Sequence, residues 1–577
     1  MIHYRIALHD LHAHHYRVTL TVPQPAPEQR VSLPVWIPGS YMVRDFGRHL
    51  SRLEARQGRT AVTLNQLDKT TWQAACRGRS ALTLTYLVYA FDRSVRAAFL
   101  DSARGFFNGT SLCLRVEGRE SEPHGITLTG LPRGWLVATA MAGDRAQGYR
   151  AADYDELVDH PFEIGVFWRG AFEVAGVAHE FVVAGAWPEF DGERLLADTR
   201  RICETQIGFW HGRRKPKPPF DRYVFMLNAM DDGHGGLEHR ASTALVAARR
   251  DLPRLGQATA GDGYHSLLGL VSHEYFHSWN VKRLKPRDLA RIDYTRENHT
   301  TLLWFFEGFT SYYDDLLLLR AGLIDAPRYL GLVAKTLNGV AASPGRQVQS
   351  VAQSSFDAWV KYYRGDENTP NATVSYYTKG ALIALALDLT LRKDRRGTLD
   401  DVMQRLWRMS RGGPIDEHDI AAALREVGGR AYARELAAWV HGTDELPLAG
   451  LFDAAGVTLG HSPIGFAAAL GLRLSEGALS GVQVRSVLAG SPAARAGVAA
   501  GDELLAAGGW RIRRLDDAQQ WLAAGQPIEL LLVRDQRVVP LTVPHAPASR
   551  AAQTQTLALA DKPAAAAASL RRGWLGV

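Results

Sequence analysis

The chain has 577 residues, 46% of them hydrophobic and 22% charged, with a net charge of +7. That is the composition of a globular protein with more than one core, and no run of about 18 apolar residues offers a membrane span. Three widely spaced cysteines, Cys76, Cys113 and Cys203, exclude a disulfide framework or a thiolate cage, and short basic clusters at 213–219, 392–396 and 511–514 lack any recognition motif, so no nucleic-acid partner is expected.

The opening "MIHYRIALHDLHAHHYRVTLTV" alternates polar and apolar residues like a strand and lacks the order of a secretory signal, which makes the cytoplasm the default location. Residues 1–170 continue as short β-segments broken by Gly, Pro and Asn, including "VSLPVWI", "SALTLTYLVYAF" and "SLCLRVEG", and predict an all-β, sandwich-like domain. A helix around "RLLADTRRICETQIGFWHG" and an apolar strand "RYVFMLNAM" begin a second domain, 171–460, in which helices dominate after residue 260. Residues 463–545 return to short strands with one helix. From 546 the Ala-rich "PASRAAQTQTLALADKPAAAAASL" reads as a flexible tail with little core of its own, ending in the apolar "GWLGV". The fold class expected is multidomain α+β.

The chemistry concentrates in "HEYFH", residues 273–277. Residues four apart on a helix lie roughly 6 Å apart on one face, so His273 and His277 can share one ion, while Glu274 stands where a base takes a proton from water. A helix that merely carries two histidines is the bland alternative. A catalytic zinc site takes a third protein ligand. The helix "LLWFFEGFTSYYDD" offers Glu307, a carboxylate in an otherwise aromatic stretch where an unpaired buried charge would be costly.

"HEYFH" followed by "EGF" resembles the thermolysin-like zinc metallopeptidases, in which a glutamate on the next helix completes the site. The strings "HEYFHSWNVKRLKP", "PVWIPGSYMVRDFGRHL" and "DYDELVDHPFEIG" resemble the PDZ-domain-containing glycyl aminopeptidase family over nearly all of the chain except its tail. The resemblance implies a thermolysin-like catalytic domain over 171–460, a PDZ domain over 463–545 and one Zn²⁺ per chain. "GGLEH", at 235–239, is similar to the Gly-x-Met-Glu-Asn motif of aminopeptidase N relatives, with Leu237 and His239 as departures; it implies that Glu238 binds the α-amino group of a substrate. By itself "GGLEH" reads as a tight turn. "YYTKG", at 376–380, is similar to the Tyr-x-Lys-Gly start of a helix in the same relatives and implies that Tyr377 steadies an oxyanion, with Tyr376 packed.

Ser311 stands where thermolysin would have an aspartate behind a zinc histidine; Asp314 could serve instead but reads as an exposed charge, and Asn280 and Lys282 read as structural. The function implied is removal of N-terminal residues, Gly or Ala by the family's name, from peptides. "GVQVRSVLAGSPAARAGVAAGDELLAAGG" resembles bacterial PDZ domains, which hold peptide C-termini in a loop, expected near "ALGLRL" at 469–474. The chain's own apolar end is a candidate occupant. An endopeptidase and a non-catalytic peptide-binding or chaperone-like protein are the competing readings, and the oligomeric state stays open.

Overall fold

The computed structural model describes residues 1–212, 217–522, 525–544 and 553–577, so most of the basic run at 213–219 and the start of the Ala-rich segment lie outside the described residues. The chain divides into two compact units, Met1–His299 with Tyr313–Ile324 and Met403–Asp416, and Thr300–Tyr312 with Asp325–Val402 and Glu417–Val577.

The first unit opens with an eight-stranded sheet and two four-stranded sheets. The period-2 pattern of the sequence is kept in space. In Ile2–Asp10, residues Ile2, Tyr4, Ile6 and Leu8 are buried, and in His15–Val22 so are Tyr16, Val18, Leu20 and Val22. These side chains join Val31, Trp72 and Phe162 from the smaller sheets in one core, as expected for faces that bury alternate residues. A five-stranded sheet follows, built from β1 (Phe167–Val174), β2 (Val177–Ala184), β3 (Arg222–Met230), β4 (His234–Glu238) and β5 (Ser242–Ala248), with the 20-residue helix α1 (Gly192–His211) between β2 and β3. Its order is β1-β2-β3-β5-β4, with β2, β3 and β5 parallel and both edge strands antiparallel. "GGLE" is therefore an edge strand and not a tight turn: its two glycines pair in register with Val246 and Leu245 of β5. Helix α2 (Asp262–Phe276) follows.

Helix α3, Leu303–Arg320, is continuous through the boundary between the units. The second unit holds helices α4 (Ala326–Ala341) and α5 (Tyr376–Lys393). Then strand β6 (Val457–Pro463) leads into a small sheet that begins with β7 (Leu472–Gly477) and β8 (Gly481–Val487), β7 being its edge strand. This sheet has its own core, including Leu470, Val482, Leu504, Leu515 and Leu532.

The flexible tail expected from composition is not what residues 553–575 form. Gln553–Leu559 is a strand, β9, paired antiparallel with β6 from Val457↔Leu559 to Pro463↔Gln553, and Ala565–Leu575 is a helix, α6. Alanine is the best helix former, and "QTQTLAL" alternates like a strand. The apolar end is not a free peptide either. Trp574 and Leu575 are buried, Trp574 packs edge-on to Tyr329, and the Gly573 carbonyl accepts a 2.6 Å hydrogen bond from Arg392. An end held this way against helices cannot also lie in a PDZ groove, which removes the self-occupancy expected from "GWLGV".

Candidate active site

In the first unit, α2 presents His273 and Glu274 and ends at His277, which caps it. Ser272 fixes the helix: its carbonyl and hydroxyl accept from the Gln206 amide at 2.8 and 2.9 Å, and its hydroxyl donates to the Asp314 carbonyl at 2.8 Å. Phe276 stacks on Tyr313. Both residues opposite α2 belong to the C-terminal part of α3.

The two imidazoles are oriented through their second nitrogens. His273 Nδ1 lies 2.9 Å from Asp314 Oδ2, and His277 Nδ1 lies 2.8 Å from the Asn280 carbonyl oxygen. Carbonyl and carboxylate oxygens only accept, so each Nδ1 carries the proton and each Nε2 presents a lone pair. The two Nε2 atoms are 3.1 Å apart. Two lone pairs facing at that distance repel unless a cation lies between them, and two ligands about 2.0–2.1 Å from a tetrahedral ion are separated by about 3.3 Å. The donors therefore fit a metal ion. Asp314 is the orienting carboxylate and not an exposed charge, while Asn280 contributes its backbone carbonyl, a role no side-chain motif could announce.

Glu274 is buried, and Gly236 of β4 makes room for it: a Cβ at that position would overlap the Glu274 carboxylate. Glu238, at the end of β4, is also buried, and its carboxylate, that of Glu274 and a ring nitrogen of His277 all lie within 4.8 Å of one another. Gly39, in the "PVWIPGSYM" loop, packs on the Glu238 carboxylate with φ of +94°, where a side chain would be strained and would collide with both oxygens. Arg96 donates to the Gly236 carbonyl at 3.2 Å. Gly39 and Arg96 are contributions that the sequence reading missed, because both come from the β-rich region, far along the chain from "GGLEH".

Beside Glu238 lies a buried ionic centre. Asp159 takes Lys282 Nζ at 2.6 Å and the Arg240 backbone N–H at 2.8 Å, with His239 Nδ1 at 3.5 Å. Burial alone would raise the Asp159 carboxyl; Lys282 and the hydrogen bonds override it and hold the group well below the usual carboxylate range. Lys282 and Asp159 thus bind two of the quoted family strings together. Val281, between Asn280 and Lys282, has φ of +114°, a strained conformation for a β-branched residue, held by its N–H to the Leu284 carbonyl at 2.8 Å.

In the second unit, the N-terminal part of α3 crosses α5 where Gly308 meets Gly380; a Cβ on either would strike the other helix's backbone. Glu307, next to that crossing, is buried. Tyr377 lies in the first turn of α5, capped by Ser375, whose hydroxyl accepts from the Thr378 N–H at 3.3 Å. Its ring stacks on buried Tyr376, and its hydroxyl is 3.4 Å from that of Tyr363. Burial first, and then the Glu307 carboxylate, push the Tyr377 phenol well above its ordinary value, so it stays a neutral donor. Glu307 and Asp314 lie seven residues apart on α3, two turns along the same helix face.

Residues 3–166 match the Peptidase M61 N-terminal domain, 266–383 the M61 glycyl aminopeptidase profile and 483–534 a PDZ domain. An aminopeptidase N family protein of solved structure from Idiomarina loihiensis is 36% identical, with all of both chains covered and a TM-score of 0.93. A mutant M1 zinc metallopeptidase from Deinococcus radiodurans covers 78% of this chain and 95% of its own at 16% identity, with a TM-score of 0.47. A search of curated protein sequences gave no match. On the profile matches and the full-length relative, the chain belongs to the M61 glycyl aminopeptidase family and is a metallo-aminopeptidase.

Proposed function

We propose that the chain removes small N-terminal residues, Gly or Ala, from peptides in the cytoplasm, with one Zn²⁺ held by His273, His277 and Glu307. The observation that carries the reading is the Glu238 carboxylate, buried within 4.8 Å of Glu274 and His277 ligand atoms and backed by Gly39. A carboxylate held there selects a cation beside the base, and the cation every peptide offers at its cleavable end is its α-ammonium. When bound, the metal acts as a Lewis acid and lowers the pKa of water. Glu274 takes the proton of the attacking water and later gives it to the leaving amine, Tyr377 donates a hydrogen bond to the developing oxyanion, and Glu238 fixes the substrate's end. The two turns of α3 between Asp314 and Glu307 support Glu307 as the third ligand.

For the PDZ domain we infer peptide binding along β7, whose outer edge carries no strand among the described residues; Gly471, at φ of +77°, precedes it within the expected loop at 469–474. The three cysteines are free and buried, in keeping with a reducing compartment.

Hydrolysis of a panel of aminoacyl amides by the wild type and Glu274→Gln, with metal analysis of both, tests the reading. Metal in both proteins and activity only in the wild type is expected; equal activity would overturn it. Cleavage of N-acetylated peptides at internal bonds would favour the endopeptidase instead.

A further inference from the structure

Strand β4 is an edge of its sheet, and its outer side pairs with no strand among the described residues. The His239 N–H donates to the Ser242 carbonyl at 2.9 Å and closes the hairpin. Along the antiparallel ladder Leu237 and Gly235 therefore turn their backbone groups towards β5, while Glu238 and Gly236 turn theirs outward. One outward group is taken: the Gly236 carbonyl accepts from Arg96 Nη2 at 3.2 Å. Arg96 is set firmly in the first unit. Val95, before it, packs with Ile37, Phe99 and Leu237, and the carbonyls of Val95 and Ala97 both accept from the buried Asn108 amide, at 2.8 and 3.2 Å. The Arg96 guanidinium makes no ion pair among the described residues, and its buried Nε has no hydrogen-bond partner. A cation without a counter-ion is thus held across the strand that carries Glu238.

Resting on the aminopeptidase reading, we propose that Arg96 receives the free C-terminal carboxylate of the substrate, so that the preferred substrates are glycyl and alanyl dipeptides. Residues two apart on a strand lie about 6.6 Å apart, and an extended dipeptide reaches about 7 Å. A peptide laid antiparallel on β4 with its ammonium at Glu238 brings its carboxylate to the level of Gly236, where Arg96 stands. Glu274, the base, packs against the same glycine, which puts the bond it serves between the two charged ends. The guanidinium fork matches a carboxylate with two parallel hydrogen bonds, and the bound anion supplies the counter-ion that Arg96 lacks. A longer peptide has to continue past Arg96 and carries its carboxylate out of reach. An acidic side chain just after the cleaved bond presents the same chemical group, and the test separates the two.

The test measures kcat/KM of the full-length, metal-loaded enzyme on alanylalanine, its C-terminal amide and tetra-alanine. A hydrogen-bonded charge pair discriminates by about 10- to 100-fold, so the wild type should favour alanylalanine over the amide by that factor, and over tetra-alanine as well. In Arg96→Met the acid-to-amide ratio should fall to about one-tenth of its wild-type value or lower, and Arg96→Lys should keep part of the preference. An arginine that only clamps Gly236 would slow acid and amide alike when replaced; an unchanged ratio in Arg96→Met therefore overturns the proposal. Equal rates on alanylalanine and its amide in the wild type overturn it too, with no variant needed. A preference for the α-amide of alanylglutamate over that of alanylglutamine, with none for a free C-terminus, would move the carboxylate to a side chain and overturn it in a third way. Hydrolysis of alanylalanine amide by the wild type reports on the aminopeptidase reading by itself, so the two can fail independently.

Discussion

Asp314 Oδ2 lies 2.9 Å from His273 Nδ1, although 41 residues of sequence separate the two. The carboxylate fixes the ring's tautomer and so decides which nitrogen can bind a cation. Asp314→Asn keeps the shape and removes the charge; its metal affinity is expected to fall about 10- to 100-fold, measured by competition with a chromogenic chelator, with kcat/KM restored in part by excess Zn²⁺.

Tyr377 is held neutral by burial and by Glu307. Under the proposed role, in which the hydroxyl acts on charge that develops only in the transition state, Tyr377→Phe should lower kcat on aminoacyl amides about 10²- to 10³-fold while KM changes little. Since the phenol's pKa is raised, its ionisation should cause no loss of wild-type activity as pH rises towards about 10, its unperturbed value.

The Asp159–Lys282 pair is a stability element. Removing one partner of a buried pair leaves the other uncompensated, so Asp159→Asn should cost about 3–5 kcal/mol, read by denaturant unfolding. The folded carboxyl titrates below its unfolded value, so its contribution is complete above about pH 4 and is lost as pH falls further. The gap between wild type and variant should therefore narrow in acid.

Trp574, buried against Tyr329, anchors the end of the chain. Trp574→Ala is expected to destabilise the protein by about 3–5 kcal/mol, seen as a lowered thermal midpoint; a flexible tail would tolerate the change.

What the sequence made legible follows from the range over which each signal acts. His273, Glu274 and His277 lie within one helical turn and a half, and Glu307 is a lone charge in an aromatic stretch, so local sequence is enough to propose them. Gly39 against Glu238, and Asp159 against Lys282, are contacts between distant segments whose letters carry no period. The Asn280 carbonyl is backbone and has no side-chain signature. The tail is ambiguous for another reason: Ala-rich composition is shared by linkers and by good helices, and two apolar residues, Trp574 and Leu575, decide between them.

Strands β6 and β9 have one further consequence. Because Pro463 faces Gln553 across the ribbon, the segment between them leaves and re-enters the structure through adjacent doorposts. The small domain is thus an insertion and not an appendage. A two-strand socket of this kind lets one inserted module be exchanged for another while the strand pairing that anchors the far end of the chain is kept.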